Sequence, residues 1–501
     1  MPGERKEVRI MDSGTTALSV IFVIVLISSV VGMYAGRHHK MNLEQWTVAG
    51  RGFGIVLVWL LMAGEVYTTF AFLGASGWAY SRGAPTLYIM AYLTLAYVVS
   101  FFFLPQVWEV GKKFGMQTQS DFFRQRYGSK NLAAFAALIG VVFIIPYLQL
   151  QLTGLGIIVE VSGFGGIGRV PAMLIAFALV AAFVFVSGVR AVAWISVIKD
   201  FLMLFAAFFI GIGLPYMYFG GISEMFTAVI NAKPHHLILP GSTKVMGQSW
   251  FISTVLLTSL GFYMWPHLFS ATFTAKNDNT LRKNAVFMPL YTITMPLIFF
   301  VGFTAILVVP GLANGDLALL TIVRQSYSPW FLGIIGAAGA LTAMVPAAIL
   351  ILAAATLFAK NFYREMFAPH WTDDQVARLA RALVIVITLI ALYFAIYSST
   401  TLVNLLLLGY AGVTQFLPGV TFGLYWRRVT KAGVFTGLVT GIGVVAYLVL
   451  TKQDPFYGIN AGFLALCVNF VLTIVVSLMM PPEPNRFNEE PVFTDQAKGS
   501  T

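Results

Sequence analysis

A single carboxylate, Glu65, lies near the middle of an apolar stretch at residues 53–80 that is long enough to cross a membrane. An ionisable side chain at the centre of a bilayer costs at least roughly 2.5 to 3.5 kcal/mol, so it usually faces a bundle interior or a water-filled path. Small and hydroxyl-bearing neighbours allow the helix to open there and to expose backbone groups; they are Gly64, Tyr67, Thr68, Thr69 and Gly74. The stretch is typical of the wall of a transport pathway.

A second charged group, Lys199 and Asp200, interrupts the apolar segment AVAWISVIKDFLMLF. Together with Ser196 these residues are spaced i, i+3 and i+4, so one face of a helix presents Ser196 with either charged neighbour. Desolvation disfavours the charged form of a buried ammonium, which makes Lys199 a candidate for proton exchange. In the alternative interpretation, Lys199 snorkels to the inner interface and Asp200 balances its charge.

Two predicted helices are interrupted, and they lie five helices apart in chain order. The first is broken between Gly64 and Gly74, and the second within GFYMWPH at 261–267. Pro266 removes a backbone donor and clashes with the preceding turn, which frees carbonyl groups in mid-membrane. Interrupted helices at corresponding places of two halves indicate an inverted-repeat transporter with its substrate site at the midplane. Kinks that serve only helix packing are the alternative.

The elements that position these residues are transmembrane helices. Hydrophobic residues make up 58% of the 501 positions and charged residues only 10%, against roughly 25% charged residues in soluble domains. Thirteen apolar windows have spanning length; they cover residues 14–36, 53–80, 86–108, 131–160, 171–187, 191–219, 250–274, 284–310, 330–359, 380–397, 400–425, 432–450 and 458–480. An odd count places the two termini on opposite sides of the membrane.

Lys and Arg residues set the predicted orientation, because short cytoplasmic loops accumulate positive charge. With the amino terminus outside, the inner loops and tail carry twenty-one of these residues and the outer segments carry nine, while Lys199 lies inside a helix. We therefore expect a multi-pass protein of the cell (inner) membrane with its carboxyl terminus in the cytoplasm. The net charge of +11 is dispersed over many loops, which argues against nucleic-acid binding.

The chain is expected to divide into three parts: an outer segment, 1–13, a transmembrane domain, 14–480, whose core covers about 53–425, and a polar tail, 481–501. The tail cannot bury enough apolar surface to fold, so we expect it to be disordered in the cytoplasm. The apolar run 14–36 is longer than the apolar region of a signal peptide and no cleavage site follows it, so we expect this helix to be retained.

Other function classes lack their sequence signals. An enzyme would need a nucleophile and base, or metal ligands, that converge in the bundle, and no HExxH, GxSxG or Cys/His cluster is present. No GxxxxGKS/T segment is available to hold nucleotide phosphates for primary active transport. A channel or a transport-derived sensor would require a continuous polar pore or an attached signalling domain. We therefore predict a secondary transporter, not an enzyme, with no cofactor and no metal.

Four segments, in this order, resemble the sodium:solute symporter family: LEQWTVAGRGFG, MQTQSDFFRQRYGS, the Pro266-His267 pair and LPGVTFGLYWRRVTKAG at 417–433. The resemblance covers nearly the whole chain. It implies an all-α polytopic membrane protein with an architecture like that of the LeuT-type amino-acid transporters, whose ten-helix core consists of two five-helix inverted repeats. Here that core comprises windows two to eleven, with one helix before it and two after it.

Within the family, GEVYTTFAFLGASGWAY, Gly83-Ala84-Pro85 and FYMWPH look most like the bacterial monocarboxylate permeases. This resemblance implies a symporter that imports a small acid such as lactate or pyruvate across the plasma membrane by alternating access. An anionic substrate favours hydrogen-bond donors and positive helix ends, which the two broken helices supply. The candidate substrate contacts are Tyr67, Thr68, Thr69, Tyr147, Gln149, Gln151, Tyr263, Trp265, His267, Tyr410 and Gln415.

The sequence departs from the family at the sodium site. Family members carry adjacent hydroxyl residues on the ninth helix, and counting back from Tyr363 places Val345 and Pro346 there. Neither side chain offers an oxygen, whereas a hard cation needs several oxygen ligands. The nearest hydroxyl, that of Thr342, lies one turn away. The comparison with the family therefore implies a degraded sodium site.

Lys199 offers a replacement for the sodium ion. In sodium-independent relatives of the LeuT architecture, a lysine on the equivalent core helix takes the place of the ion, and Lys199 resembles that substitution. Ser196 stands where many family members have an acidic residue. Coupling to protons through Glu65, Lys199, Asp200 and Ser196 is one hypothesis, in which Glu65 pairs with Lys199 or with a proton; Glu65 facing another group of the bundle is the alternative. Sodium-coupled symport of another small solute, such as an amino acid or acetate, and uncoupled uniport or exchange are the alternatives.

Overall fold

The computed structural model describes residues 2–36, 48–186 and 189–488, and the regular structure in these ranges is helical apart from two isolated β-bridges. The α-helices of at least seven residues are α1 Pro2–Gly36, α2 Ile55–Val66, α3 Ala75–Ser81, α4 Tyr88–Lys113, α5 Gln119–Tyr127, α6 Lys130–Ser162, α7 Arg169–Val186, α8 Val189–Phe219, α9 Ile222–Ala232, α10 Gln248–Gly261, α11 Pro266–Thr272, α12 Asp278–Thr292, α13 Thr294–Val308, α14 Ala318–Ser326, α15 Pro329–Thr356, α16 Asp373–Tyr397, α17 Leu402–Val413, α18 Leu417–Tyr425, α19 Lys431–Leu450 and α20 Ala461–Met479.

Each of the thirteen predicted windows contains helical backbone. Within the described ranges, ten segments are long and apolar enough to cross a membrane, and the bent pair α2 and α3 makes eleven. The other two windows are α7, which is shorter, and the α10–α11 pair, which is broken. The prediction of an all-α polytopic membrane protein is confirmed.

Both predicted breaks are present. Helix α2 ends at Tyr67, whose backbone is no longer helical (φ −90°, ψ 77°), and the chain continues through the π-helical turn Phe70–Gly74 into α3 after a 57° bend. In the seventh window, a 3-10 turn leads from α10 to Trp265, which is extended (φ −60°, ψ 126°). Pro266 then begins α11. At the first position of a helix the backbone N–H group has no partner within the helix, so the N–H that proline lacks costs no hydrogen bond. Backbone groups are thus released at two places in the bundle.

Helix α15 lies in the interior of the bundle. The span Pro329–Phe367, which includes α15, has 89% of its apolar window buried, and α15 packs against α1, α6 and α8. Helix α13 approaches α3 equally closely, since a Cβ atom on Gly302 would overlap the carbonyl oxygen of Ser76. Such contacts between small residues hold membrane helices together without a hydrophobic driving force. The two broken windows therefore sit in a closely packed frame.

The loop helix α5 is fixed to this frame by a polar network. Thr118 and Asp121 form a reciprocal capping box at its start. The Asp121 carboxylate also accepts hydrogen bonds from Lys360 (2.8 Å) and Asn361 (2.7 Å), on the π-helical extension of α15 at Leu357–Arg364. Burial alone would raise the pKa of Asp121, but Lys360 and the surrounding hydrogen bonds hold it below its ordinary value. The carboxylate thus stays ionised where it joins α5 to the core.

The carboxyl-terminal segment returns to α5. The ring centroid of Phe487 lies 5.2 Å from that of Phe122, and the ammonium of Lys113 donates to the Phe487 carbonyl at 2.8 Å. Phe487 thus packs on the protein within the tail that we predicted to be disordered, because its ring supplies an apolar contact that the polar composition does not reveal. The rest of the tail, 489–501, lies outside the described residues, and its disorder stays a prediction.

Candidate functional site

The ammonium of Lys199 occupies the break in the second window. Its Nζ atom donates hydrogen bonds to the backbone carbonyls of Gly64 (3.3 Å) and Tyr67 (3.1 Å) at the end of α2. Lys199 is 0% exposed, so carbonyl oxygens freed by the opened helix replace its water. It does not snorkel to the interface, because these oxygens satisfy it inside the bundle. A positive charge therefore lies where the family resemblance implies a sodium ion.

Asp200 neutralises Lys199. The Nζ and Oδ1 atoms lie 2.9 Å apart, and both side chains are buried. The hydroxyl of Tyr291 on α12 donates to the same Oδ1 at 3.2 Å, whereas Oδ2 has no hydrogen-bond partner among the described residues. Attraction and hydrogen bonds offset the cost of removing both charges from water. The pair adds one positive and one negative charge to the core, and therefore no net charge.

Val345 and Pro346, which we predicted at the place of the family's hydroxyl ligands, supply no side-chain oxygen. Val345 and Pro346 are both buried on α15, and a Cβ atom on Gly64 would lie 3.7 Å from Val345 and 2.7 Å from the Ser196 hydroxyl. The hydroxyls of Thr342 and Ser196 donate to carbonyls of their own helices, at 2.7 Å and 3.0 Å. Helices α8 and α15 thus meet α2 at Gly64, beside the ammonium.

Glu65 faces a different partner. Its Oε2 atom lies 3.7 Å from Nε2 of His267 on α11, and both side chains are 0% exposed. In the part of the chain that the structure describes, neither carboxylate oxygen and neither imidazole nitrogen has a hydrogen-bond partner. The backbone carbonyl of Glu65 accepts a hydrogen bond from the hydroxyl of Tyr147 at 3.2 Å. The core therefore contains two pairs of titratable side chains, Lys199–Asp200 and Glu65–His267.

A cavity of about 240 Å³ lies between the two broken windows, and we call it the central cavity. Trp265 stands between Tyr147 and Tyr410, with ring centroids at 4.8 Å and 5.3 Å. The lining is mostly aromatic, with one carboxylate, and consists of Glu65, Val66, Phe70, Tyr92, Tyr147, Phe262, Trp265, Leu268, Leu406 and Tyr410. A small apolar site with few polar groups is typical of small-molecule binding.

Three of the eleven predicted substrate contacts, Tyr147, Trp265 and Tyr410, line the central cavity. Thr68 lies next to them, because its hydroxyl is 3.5 Å from that of Tyr147. Tyr263 packs against Phe262, with ring centroids 4.9 Å apart. The remaining polar contacts are with other groups: Tyr67 with Tyr97 and Thr292, Thr69 with Gln151, Gln149 with the Phe394 carbonyl, and Gln415 with the carbonyls of Ala411 and Gly462.

His267 lines a second cavity, of about 460 Å³, which we call the inner cavity. Gln117 and Thr118 also line it, and they belong to a loop that the predicted topology places in the cytoplasm. Residues from α2, α11 and α15 complete the wall, among them Leu61, Ser270 and Thr356. Glu65 and His267 thus contact different cavities while the ends of their side chains face each other.

Three aromatic residues of the central cavity were not among the predicted contacts: Phe70, Tyr92 and Phe262. Phe70 and Phe262 belong to the two broken segments, so their position beside the breaks was a usable signal. Tyr92 lies on the unbroken helix α4, one turn after Tyr88, and that spacing fits ordinary packing equally well. Within the described ranges, no group of three or more His, Cys, Asp and Glu side chains is placed to hold a metal ion.

The chain is similar in sequence to several membrane symporters. A model of the sodium:solute symporter family matches residues 46–441. The chain is 48% identical to the uncharacterized symporter YhjB of Bacillus subtilis (strain 168), over 92% of this chain and 97% of that protein. It is 29% identical to a monocarboxylate transport permease protein of Rhizobium johnstonii, over 94% of this chain and 98% of that protein.

Solved structures share the fold. A Na⁺-coupled sialic acid symporter in a substrate-bound, outward-open state aligns with a TM-score of 0.77, over 93% of this chain and 98% of that one, at 18% identity. Mhp1, a nucleobase-cation-symport-1 family transporter in a closed conformation, aligns with a TM-score of 0.54, over 89% and 97%, at 14% identity. At these identities the likeness shows the fold alone, and the predicted LeuT-like architecture is confirmed.

Proposed function

Because this chain belongs to the sodium:solute symporter family, we propose that it imports a small monocarboxylate, such as lactate or pyruvate, together with a proton by alternating access. Family and fold make the chain a membrane transporter of a small solute; the substrate class and the coupling ion are the proposal. The observation that carries it is the ammonium of Lys199 on the carbonyl oxygens of Gly64 and Tyr67.

The position of Lys199 favours protons over sodium as the coupling ion. A sodium ion needs several oxygen ligands, and the two carbonyls at the break already accept from the ammonium. A sodium ion about 4 Å from that ammonium would be repelled by ~4 kcal/mol at an effective dielectric constant of ~20. The tethered cation therefore replaces the ion, and the cycle needs another ion as its source of energy. Protons fit, because the core carries buried titratable groups.

The central cavity favours a small anion. The cavity is enclosed largely by aromatic side chains and leaves little free space, which favours a solute of few heavy atoms over a sugar. The hydroxyls of Tyr92 and Tyr410 and the indole of Trp265 belong to lining residues, and each can donate a hydrogen bond to a carboxylate. The Rhizobium relative, a monocarboxylate transport permease protein, supports the same class.

We place the protein in the cell (inner) membrane with its amino terminus outside. The excess of Lys and Arg residues in alternate loops supports this orientation. In it, the loop that carries Gln117 and Thr118 is cytoplasmic, and the inner cavity leads from the centre of the bundle toward that side.

Uptake by purified protein in proteoliposomes tests the proposal. An inward proton gradient without sodium is expected to drive accumulation of labelled pyruvate or lactate, and unlabelled acids, amino acids and sugars report specificity by competition. Lys199→Ala is expected to lose accumulation, while Lys130→Ala, which removes an exposed lysine, serves as the matched control. Accumulation that requires a sodium gradient and ignores external pH would refute proton coupling.

Other outcomes of the same assay identify the alternatives. Counterflow that responds to neither gradient indicates a uniporter or an exchanger. Sodium-driven uptake of an amino acid or acetate indicates a sodium symporter of another solute. Flux that does not saturate with substrate indicates a channel, and binding without flux indicates a transport-derived sensor.

A further inference from the structure

The Glu65–His267 pair is incomplete as it stands. The carboxylate and the imidazole approach to 3.7 Å in the bundle interior, yet among the described residues none of their four side-chain nitrogen and oxygen atoms has a hydrogen-bond partner. Buried polar groups are nearly always paired, and an exception calls for a functional or missing group. At 3.7 Å, Oε2 and Nε2 lie just beyond hydrogen-bond distance, so a small approach of the two side chains would let one proton join these two atoms.

Lys199 does not supply the missing charge, because it is paired with Asp200 at 2.9 Å. The described helix α15 carries no titratable side chain, and tyrosines stay neutral near pH 7. The titratable groups around the pair include Lys199 and Asp200 on α8, Tyr147 on α6, Tyr410 on α17 and a cluster of buried tyrosines, Tyr67, Tyr92, Tyr97, Tyr263 and Tyr291. An ionised Glu65 would therefore leave one unbalanced negative charge in this part of the core.

The two members of the pair have different access to water. Glu65 lines the central cavity, together with Tyr147 and Tyr410. His267 lines the inner cavity, together with Gln117 and Thr118. A proton held between them can therefore be exchanged with water in either cavity, according to which cavity is open to its side of the membrane.

We propose that Glu65 and His267 together bind the co-transported proton, with Glu65 accepting it from the central cavity and His267 releasing it into the inner cavity. This inference rests on the proposed function and adds a division of roles to it. Lys199 is the fixed cation that replaces sodium, and the Glu65–His267 pair is the site that binds and releases the co-transported proton.

The proton moves in two balanced steps. On loading, the Glu65 carboxylate takes a proton from hydronium in the central cavity and becomes a neutral carboxylic acid. On unloading, the two side chains close from 3.7 Å to hydrogen-bond distance, and the bond from the proton to Oε2 breaks as a bond to Nε2 of His267 forms, which gives an ion pair of carboxylate and imidazolium. The imidazolium then passes the proton to water in the inner cavity, and His267 returns to its neutral form.

Charge couples this proton to the substrate. An ionised Glu65 in the wall of a cavity of about 240 Å³ repels an anionic substrate, and protonation removes the repulsion. Repulsion between the Glu65 carboxylate and a substrate carboxylate about 5 Å away, at an effective dielectric constant of ~20, lowers the affinity for the substrate on the order of a hundredfold. The monocarboxylate therefore binds the protonated carrier, and release of the proton to the inner cavity weakens its binding.

Proteoliposomes that contain the full chain give two readouts, pyruvate counterflow at equal pH and pyruvate accumulation driven by a pH gradient. The ratio of the second rate to the first separates proton coupling from substrate binding. Glu65→Gln and His267→Gln are expected to lower this ratio about tenfold or more, within the range typical of coupling between two bound ligands. Glu109→Gln, which removes an exposed carboxylate of α4, is the matched control and should keep the wild-type ratio.

A wild-type ratio in either Glu65→Gln or His267→Gln overturns the inference and leaves the proposed function standing. A wild-type protein without counterflow of pyruvate or lactate refutes the proposed function itself. Glu65→Asp keeps the carboxyl and covers the case in which the amide variants fail to fold. Its accumulation should persist with a shifted pH midpoint, because the carboxyl is one methylene further from His267, and an unshifted midpoint counts against the pair.

Discussion

The substitution Lys199→Ala removes the cation from the break in the second window. The Nζ atom lies 2.9 Å from Oδ1 of Asp200, a separation at which opposite charges attract by ~6 kcal/mol at an effective dielectric constant of ~20. Dehydration of both groups offsets part of this attraction, and removing one partner of a buried pair costs about 3–5 kcal/mol. We expect the free energy of unfolding to fall by that amount, because Asp200 stays buried without its cation.

A sodium site can be rebuilt in the vacated space. The triple variant Lys199→Ala, Val345→Ser, Pro346→Thr returns two hydroxyls to α15 and leaves the carbonyls of Gly64 and Tyr67 without the ammonium. A ligand that binds only the folded protein stabilises it by ~2.7 kcal/mol when present at about a hundred times its Kd. Sodium should therefore restore a large part of the lost stability in this variant, whereas the wild-type protein should not respond to sodium.

Thermal unfolding of the purified proteins in NaCl measures this difference, with choline chloride at the same ionic strength as the reference. The matched control is Val345→Ser, Pro346→Thr with Lys199 retained, which should not respond because the ammonium still holds the carbonyls. The reasoning is refuted by a triple variant that sodium does not stabilise, or by a wild-type protein that sodium stabilises to the same extent.

Three further predictions concern the frame around the site. Burial raises the pKa of the Asp316 carboxyl, on the loop between α13 and α14, from 3.8 to about 7. Stability should therefore fall as pH rises from about 4 to about 7, because the unfolded chain loses this proton first. Asp316→Asn should flatten the fall in melting temperature over the same pH range. Gly302→Ala should lower the melting temperature, because its Cβ atom would overlap the Ser76 carbonyl. A Cβ atom on Gly443 would meet no atom within 4 Å. The melting temperature of Gly443→Ala should therefore match or exceed that of the wild type, since alanine favours a helix over glycine by ~1 kcal/mol. Phe487→Ala should cost roughly 1–2 kcal/mol, less than the roughly 3–5 kcal/mol of a fully buried Phe, and should expose the tail to limited proteolysis; a tail as resistant as in the wild type contradicts the packing on α5.

The sequence predicts the charged residues of the core better than their contacts. The resemblance predicts Lys199 in the place of the sodium ion, and the structure brings its ammonium to the carbonyls of Gly64 and Tyr67. The sequence offers Lys199 or a proton as the partner of Glu65, whereas the structure pairs Lys199 with Asp200 and brings His267 to Glu65. His267 is expected at the substrate, yet it lines the inner cavity, since the extended backbone at Trp265 sets how α11 is rotated about its axis.

The contacts of uncharged polar side chains are equally hard to predict from the sequence. Gln149 and Gln415, predicted as substrate contacts, donate to main-chain carbonyls of their own or neighbouring helices at 3.0–3.3 Å. Within a membrane every polar group needs a partner, so an isolated amide looks the same in the sequence whether it serves packing or binding. The helical windows are predictable because the bilayer fixes their length, and the exceptions are α7, which is shorter, and the α10–α11 pair, which is broken.

Lys199 is joined to the chain by covalent bonds, whereas a sodium ion enters and leaves a carrier in every cycle. An ion from solution must give up its hydration shell each time, and the turnover rate then depends on how much salt surrounds the cell. The ammonium of Lys199 loses its water once, when the protein folds around it. A carrier with such a built-in cation is expected to have the same turnover rate at low and at high external salt concentration.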